Sequence, residues 1–302
     1  MDTPPISASW IAVDWGTSQL RAWAMDANAQ VLASCISDRG MGHLTPGAFE
    51  GALLDTVGAW LNGPTTVLAC GMLGSRQGWV EAPYHTVPCA PLPGGFARPI
   101  VKDPRLDVHV IPGLKQTKPA DVMRGEETQI AGFLTLNPKF DGIICLPGTH
   151  TKWAHVSADE VVSFQTFMTG ELFSVLADAT VLRHTVASGG WDDVAFQDAL
   201  SETLSRPERL AALLFSLRAE SLIDNLTGQT ARARLSGLLV GAELAAARPY
   251  WLGQEIAVLG APEISRAYQS ALMSQGITPI IAEGTQMTLA GLTAAHSQLV
   301  EA

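Results

Sequence analysis

The sequence has few charged side chains and no long apolar run. Charged residues make up 16% and apolar residues 47% of its 302 residues, which is typical of a globular protein with sizeable cores and not of a disordered chain. The formal net charge is −10 and the basic residues form no cluster, which argues against nucleic-acid and anionic-membrane partners. No apolar run is long enough to cross a bilayer.

The sequence also lacks the signatures of secretion and of several common chemistries. Its first residues have neither the basic nor the apolar region of a signal peptide. Its four cysteines show no C-x-x-C spacing, so we expect reduced thiols in a cytoplasmic protein. There is no G-x-x-x-x-G-K-[ST], H-E-x-x-H or G-x-S-x-G motif, which argues against P-loop, zinc-protease and α/β-hydrolase chemistry.

Two apolar runs each end in a Gly-Thr turn and continue into a second strand-like run. The first run is Ile11–Ser18 and the second is Ile143–His150, with both Gly-Thr pairs at one common offset. Glycine lets the backbone approach a phosphate closely, and successive N–H groups in a turn form an anion site. We therefore predict two β-hairpins that hold the phosphates of a nucleotide. Single glycine turns would be ordinary, but their duplication favours this interpretation.

The two hairpins also predict particular ligand contacts. The turn residues expected to contact the nucleotide are Gly16, Thr17, Ser18, Gly148, Thr149 and His150. Asp14 ends the first strand, where its carboxylate could hold Mg²⁺ through water.

The apolar pattern divides the chain into two similar halves. Each half has three strands followed by a helix, a strand, a helix or loop, a strand and a helix, which predicts an α/β fold with mixed sheets. We expect the boundary near Asn137–Asp141, with domains at 1–137 and 138–302. A cleft between two such halves is a natural ligand site.

Some segments carry more specific expectations. Prolines and glycines from Glu81 to Asp107 predict a long irregular stretch, of a length that is usually functional. Asp121–Gln129 is predicted to lead into a helix, and Pro46 is predicted to open another. Residues 195–247 are predicted to be helical apart from two breaks.

Twin Gly-Thr hairpins in twin α/β halves resemble the superfamily of sugar kinases, actin and Hsp70 ATPases. The segments Gly71–Trp79, Met123–Gln129 and Leu146–Trp153 go further and resemble the 2-dehydro-3-deoxygalactonokinase family, over nearly the whole chain. This resemblance implies two duplicated RNase H-like domains of the actin type around an interdomain cleft, with ATP and Mg²⁺ as ligands. It also implies phosphorylation of the C6 hydroxyl of 2-dehydro-3-deoxy-D-galactonate, a small sugar acid, in galactonate catabolism.

Two alternatives stay open at this point. A kinase for another sugar or sugar acid could use the same scaffold. A nucleotide-driven interaction protein of the actin or Hsp70 type is disfavoured, because the chain has no room for the large insertions or the peptide-binding domain of such proteins. The sequence leaves the oligomeric state undecided, and a homodimer is compatible with it.

The kinase prediction assigns catalytic roles. A base must take the proton of the acceptor hydroxyl, and Glu127 and Glu126 are the candidates, with Glu127 slightly favoured. The helix dipole alone would also favour acids at that helix start. Lys152 is a candidate for steadying the transferring phosphate, although a solvated strand lysine is equally compatible. The second hairpin has Leu146-Pro147 where many relatives carry an acid, so Asp14 would hold the metal largely alone.

The acid group of the substrate requires a cationic partner. Arginine binds a carboxylate through two parallel N–H donors, and Arg76 is the first choice, with Arg21 and Arg124 as alternatives. The helix start at Thr169-Gly170 is another anion-friendly place. Gln77 and Trp79 are further candidates for the sugar pocket, with core packing as the alternative for Trp79.

The adenine site is expected in the second half. Gly241, together with Gly260 and Pro262, marks segments where a missing side chain would admit a flat ring. Close packing between helices explains Gly241 about as well.

Overall fold

A computed structural model describes residues 6–45 and 47–301 of the chain. Its strands are β1 (Trp10–Trp15), β2 (Leu20–Met25), β3 (Val31–Ser37), β4 (Thr65–Gly71), β5 (Tyr84–Thr86), β6 (Leu106–Val110), β7 (Gly113–Thr117), β8 (Ala120–Met123), β9 (Gly142–Leu146), β10 (Thr151–Ser157), β11 (Glu160–Phe167), β12 (Ile256–Gly260) and β13 (Ile280–Glu283). Its helices are α1 (Phe49–Val57), α2 (Glu126–Leu136), α3 (Thr169–Ala179), α4 (Asp193–Ser205), α5 (Leu210–Ile223), α6 (Gly228–Ala246), α7 (Arg248–Trp251), α8 (Pro262–Met273) and α9 (Gly284–Glu301).

The described residues group into two compact units. The first contains the chain up to Phe140, the short stretch Ser157–Ser163 and the chain from Gly284 onward. The second contains Asp141–Val156 and Phe164–Glu283. Among the described residues, no helix has both the length and the apolar character that spanning a membrane requires.

The first unit is built on a mixed sheet with the strand order β3-β2-β1-β4-β6. β1 pairs antiparallel with β2 and parallel with β4, so the predicted first hairpin is confirmed. Successive side chains of a strand point to opposite faces. Trp15 accordingly packs with Phe49 of α1, whereas Ala12 lies in the cluster that contains Leu292 of α9. Helices therefore cover both faces, which explains why all of β1 is buried.

The last helix, α9, packs on α2 within the first unit so closely that the crossing requires glycine. A Cβ at Gly291 would lie 1.9 Å from the carbonyl oxygen of Thr128, and a Cβ at Gly132 would lie 1.9 Å from that of Met287. The predicted limits 1–137 and 138–302 differ from the observed grouping at this helix and at Ser157–Ser163. Its place after β13 suggested the second half, but its packing partner belongs to the first.

The second unit contains the sheet ordered β11-β10-β9-β12-β13. β9 pairs antiparallel with β10 and parallel with β12, so the second predicted hairpin is also confirmed. Asp14 faces Arg21 in the first hairpin, whereas Leu146 faces Lys152 in the second. Between these paired residues the second hairpin is therefore one residue shorter than the first, and the strands after the two turns do not keep the common sequence offset. The predicted helical stretch 195–247 holds α4, α5 and α6.

The first unit also contains a small sheet, ordered β5-β7-β8, that was not predicted from the sequence. β5 lies inside the stretch predicted to be irregular, and β8 occupies the start of the segment predicted to lead into a helix. The helix itself starts only at Glu126, after Gly125, whose φ of 105° favours glycine. Pro46, predicted to open α1, lies outside the described residues.

Candidate active site

The first hairpin turn places a buried acid beside an arginine. Asp14 is the penultimate residue of β1, and Nη2 of Arg21, opposite it on β2, donates to its Oδ2 at 2.6 Å. Arg21 also donates from Nη1 to the hydroxyl of Thr285 at 2.8 Å. Burial raises the pKa of the Asp14 carboxyl, while Arg21 acts against that rise. Thr17 and Ser18 are exposed at the tip of the turn.

Both predicted base candidates lie in the first turn of α2. The Glu127 carboxylate is 0% exposed and accepts from Gly125 N at 2.7 and 2.9 Å and from the Thr128 hydroxyl at 3.1 Å. Burial, assisted by the charge of Glu126, raises the pKa of Glu127 to about 7. Glu126 is half-buried and accepts from the backbone N of Arg124 at 3.0 Å.

The start of α2 and the end of β1 meet at one place. The charge of Glu126 helps to raise the pKa of Asp14, which puts the two carboxyl groups in one electrostatic neighbourhood. Gly71 lies between them: a Cβ there would be 3.5 Å from Asp14 Oδ1. A Cβ at Gly125 would lie 3.4 Å from the Cα of Gly71. The structure therefore brings the predicted metal ligand and the predicted bases together within the first unit.

The three arginines considered for the substrate carboxylate have different environments. Arg21 is held by Asp14. The Arg76 side chain is 80% exposed, with its Nε 3.6 Å from Glu81 Oε1. Arg124 is buried and donates from Nη2 to Ala82 O at 2.8 Å, and Nη1 makes no hydrogen bond with the described part of the chain.

The neighbours of Arg76 in the sequence also divide between surface and core. Gln77 is exposed like Arg76. Trp79 packs against Phe49 and Trp15, with ring centroids 6.2 Å away in each case. Core packing thus accounts for this tryptophan. The Arg124 guanidinium carbon lies 4.2 Å from the centroid of the Tyr84 ring, in cation–π geometry.

In the second unit, the start of α3 packs on the second hairpin turn. The backbone N of Glu171 donates to Thr149 O at 2.9 Å. A Cβ at Gly170 would lie 2.2 Å from Gly148 O, so only glycine permits this contact. His150 Nε2 lies 2.6 Å from Glu171 Oε2, which ties the end of the turn to the same helix.

Lys152 and a buried glutamate lie on the elements behind this turn. Lys152 is buried on β10, which differs from the solvated strand lysine kept as an alternative. Glu243 of α6, which was not predicted from the sequence, accepts from Trp153 Nε1 and from the Tyr268 hydroxyl at 2.8 Å each. Thr169 also donates to it. Burial raises the pKa of Glu243, while these hydrogen bonds act against that rise. A lone acid inside the apolar run 238–244 was the available signal.

A pocket of about 1010 Å³ opens in the second unit beside these residues. Its lining includes four predicted site residues, Gly148, Thr149, Thr169 and Gly170. Apolar side chains from α6 and α8, among them Val240 and Ile264, form another part of its wall. The volume is at the upper end of the range common for small-molecule sites.

The residues predicted for the adenine lie next to this pocket but do not line it. Gly241 faces α4: a Cβ there would lie 2.4 Å from Leu200 O, so helix packing accounts for this glycine. Gly260 lies against Pro147, with a Cβ distance of 3.2 Å to its Cγ. Pro262 begins α8, one residue before the lining residue Glu263.

Known proteins are similar to this chain along nearly its whole length. A sequence model described as 2-keto-3-deoxy-galactonokinase matches residues 14–295. A probable 2-dehydro-3-deoxygalactonokinase of Rhizobium meliloti (strain 1021) is 37% identical, over 95% of this chain and 96% of its own. The 2-dehydro-3-deoxygalactonokinase of Escherichia coli (strain K12) is 32% identical, over 95% and 97% of the two chains.

A solved structure shows the same similarity in three dimensions. The crystal structure of a Sinorhizobium meliloti protein, provisionally assigned as a 2-dehydro-3-deoxygalactonokinase, superposes with a TM-score of 0.88 at 36% identity. The match covers 96% of this chain and 99% of that one. The family predicted from the sequence is thereby confirmed, and with it the class of the enzyme, a carbohydrate kinase that uses ATP. The chain belongs to the 2-keto-3-deoxy-galactonokinase family.

Proposed function

We propose that this kinase transfers the γ-phosphoryl group of ATP to the C6 hydroxyl of 2-dehydro-3-deoxy-D-galactonate, within galactonate catabolism. The observation that carries the proposal is the family match over residues 14–295. Relatives that carry this substrate in their names match along 95% of the chain, so the proposal covers the whole protein. Four free cysteines support a cytoplasmic enzyme.

The two units correspond to duplicated RNase H-like domains of the actin type. The support is the strand order, because each five-stranded sheet has its hairpin strands on one side and its parallel strands on the other. In each unit the hairpin joins the central strand of the sheet to its antiparallel neighbour. A homodimer remains compatible with this arrangement.

The nucleotide occupies the pocket of the second unit. Backbone N–H groups at Gly148 and Thr149, and those at the start of α3, suit its phosphates. Thr169 and Gly170 therefore belong with the nucleotide and not with the sugar acid, because they share one pocket with the hairpin turn. The apolar wall near Val240 and Ile264 suits the adenine ring.

Asp14 would hold the Mg²⁺ that accompanies ATP. Among the described residues no group of three or more His, Cys, Asp or Glu side chains could bind a metal. That finding fits Mg²⁺, which usually takes one or two carboxylates and completes its shell with water and phosphate oxygens. When bound, the ion supplies positive charge that offsets the charge of the transferring phosphoryl group.

The protein's own residues supply the remaining chemistry. Glu127 takes the proton of the acceptor hydroxyl, because its pKa of about 7 matches the pH at which a general base is most effective. Glu126 is the alternative base. In the first unit, Gly16, Thr17 and Ser18 of the turn suit phosphate oxygens. In the second unit, Lys152 of β10 offers a positive charge for the same purpose.

The carboxylate of the sugar acid is bound by Arg124. A buried guanidinium without an acidic hydrogen-bond partner is costly unless an anion completes its shell, and its Nη1 makes no hydrogen bond to any described residue. Arg76, the first choice from the sequence, is less favoured because it is mostly exposed and lies near Glu81.

Kinetics on a panel of substrates test the proposed substrate and the role of Arg124. The wild type should turn over 2-dehydro-3-deoxy-D-galactonate with much higher kcat/KM than other 2-oxo-3-deoxy sugar acids or neutral sugars. Arg124→Lys, which keeps the charge but loses the paired donors, should raise KM for the acid by roughly tenfold or more, consistent with the strength of charge-assisted hydrogen bonds. Arg76→Lys is the matched control and should change it little. A neutral sugar as the best substrate would refute the proposed reaction, and an Arg76 effect without an Arg124 effect would reverse the arginine assignment.

A further inference from the structure

Glu243 joins four elements of the second unit through its carboxylate. It lies on α6 and is 3% exposed. Its donors come from other elements: Trp153 from β10, Tyr268 from α8 and Thr169 from α3. An ionised carboxylate can accept hydrogen bonds but cannot donate them. All of these donors therefore converge on one acceptor group.

The arrangement around Glu243 also fixes the direction of each donor. The indole N–H of Trp153 can only donate, and it occupies Oε1 at 2.8 Å. The Tyr268 hydroxyl donates to Oε2 at 2.8 Å, and Thr151, 2.9 Å from the Tyr268 hydroxyl, can donate to it in turn. Every member of this buried network is thus satisfied, and such networks hold side chains in one arrangement.

Two members of the network, Thr169 and Tyr268, lie at the wall of the pocket. Thr169 is the first residue of α3 and lines the pocket, and its hydroxyl donates to Glu243. The next residue, Gly170, lies against Gly148 O. The one after it, Glu171, donates its backbone N–H to Thr149 O at 2.9 Å. The hydrogen bond from Thr169 to Glu243 therefore anchors the end of α3 that packs on the second hairpin turn.

We propose that Glu243 is a positioning residue for the nucleotide: it holds the start of α3 against the Gly148–Thr149 turn and so sets the phosphate-facing end of the pocket. The inference rests on the proposed binding of ATP in this pocket. Glu243 acts through Thr169, because a side chain this deeply buried supports the wall without forming it.

The position of the network predicts which part of the nucleotide should lose affinity. Gly148, Thr149, Thr169 and Gly170 offer backbone N–H groups, which suit phosphates and contribute nothing to an adenosine lacking them. Weakening the Glu243–Thr169 hydrogen bond should therefore lower the affinity for ATP the most and that for ADP less, and it should leave the affinity for adenosine unchanged. A general loss of stability would instead lower the three affinities together or leave all of them unchanged.

Two variants and one control separate these cases. Thr169→Val removes the hydroxyl donor and keeps the shape, and Glu243→Gln removes the charge and keeps an acceptor for Trp153. Thr203→Val is the matched control, since Thr203 is a fully buried threonine in the same unit whose hydroxyl donates to Leu238 O at 2.8 Å. It does not line the pocket. Calorimetry measures the Kd of ATP, ADP and adenosine for each protein, and thermal unfolding measures stability.

We expect Thr169→Val to raise the Kd for ATP by about tenfold, in line with the loss of one hydrogen bond to a charged group. The Kd for adenosine and the KM for the sugar acid should stay unchanged. Thr203→Val should lower the melting temperature without altering any nucleotide affinity, and Thr169→Ser should restore ATP binding.

Equal Kd values for ATP in the wild type and Thr169→Val would overturn the proposal, even if Glu243→Gln failed to fold. A loss of adenosine affinity as large as that of ATP would also overturn it. Failure of the wild type to bind ATP would instead refute the proposed function, so the two failures can be told apart.

Discussion

Glu127 offers the most direct test of the active-site chemistry, because one substitution affects both stability and catalysis. Its carboxyl group is fully buried in the first turn of α2, and its hydrogen-bond donors are the Gly125 N–H and the Thr128 hydroxyl. Glu127→Gln keeps the size and an acceptor oxygen but removes the titration. The variant therefore isolates the effect of the charge.

The expected size follows from the raised pKa. Burial shifts the pKa of Glu127 from its ordinary 4.5 to about 7, so ionisation is harder in the folded protein than in the unfolded chain. Both states are protonated below the ordinary value, where the carboxyl group costs nothing. As the pH rises from the ordinary pKa to the folded one, the unfolded chain ionises first, and the folded state loses about 3 kcal/mol of relative stability.

The stability assay compares wild type and Glu127→Gln across pH values from about 5 to about 9. The variant should gain stability relative to the wild type as the pH rises, because the glutamine carries no charge to bury. Glu126→Gln is the control and should show a smaller change, since Glu126 is only half-buried. Parallel profiles for wild type and Glu127→Gln would refute the raised pKa.

The activity assay uses the same proteins. If the ionised Glu127 is the base, kcat/KM for the sugar acid should rise with an apparent pKa of about 7 and level off above it. Glu127→Gln should lose about a hundredfold or more in kcat, the usual contribution of a general base. Should Glu126→Gln lose activity while Glu127→Gln keeps it, the base is Glu126 and Glu127 only caps its own helix.

Two further predictions concern the metal and the helix crossing. Asp14→Asn should raise the Mg²⁺ concentration needed for half-maximal activity and lower kcat by about a hundredfold, since a bound metal contributes several kcal/mol to catalysis. Asp55→Asn is the control, because Asp55 is an exposed acid paired with Arg39. Normal turnover of Asp14→Asn at low Mg²⁺ would disprove the metal role. Gly291→Ala should destabilise the protein by about 1–3 kcal/mol or prevent folding, because its Cβ would lie 1.9 Å from a backbone oxygen. Gly51→Ala in α1, where a Cβ would meet nothing within 4 Å, should instead stabilise it by about 0.5–1 kcal/mol, and similar melting temperatures for the two variants would contradict the packing argument.

Elements that depend on local pattern were predictable from the sequence. Both hairpins follow from an apolar run that ends in a glycine turn, since strand-forming runs and turn chemistry act within a few residues. The sheet formed by β5, β7 and β8 could not be found in this way. β5 and β7 pair in parallel although Tyr84 and its partner Gly113 are far apart in the chain, and neither strand is long enough to show a period.

The charged residues of the site show a second limit of prediction from sequence. The sequence favoured Arg76 over Arg21 and Arg124 by its position alone, because any arginine offers the same donors. The structure separates them by their partners: Arg21 is held by Asp14, Arg76 is mostly exposed, and Arg124 is buried with one nitrogen that makes no hydrogen bond to a described residue. Partnership is decided by strand register and by long-range packing, which a single sequence does not reveal.

Glu243 shows how such a partnership creates function far from any motif. A glutamate inside an apolar helix would be costly if left alone, because burial disfavours its charge. Its cost is offset only where donors from β10, α3 and α8 converge on it. One of those donors, Thr169, begins the helix beside the second hairpin turn. We therefore expect the Glu243 network to hold the start of α3 against that turn, so that loss of the network weakens the binding of the nucleotide's phosphates.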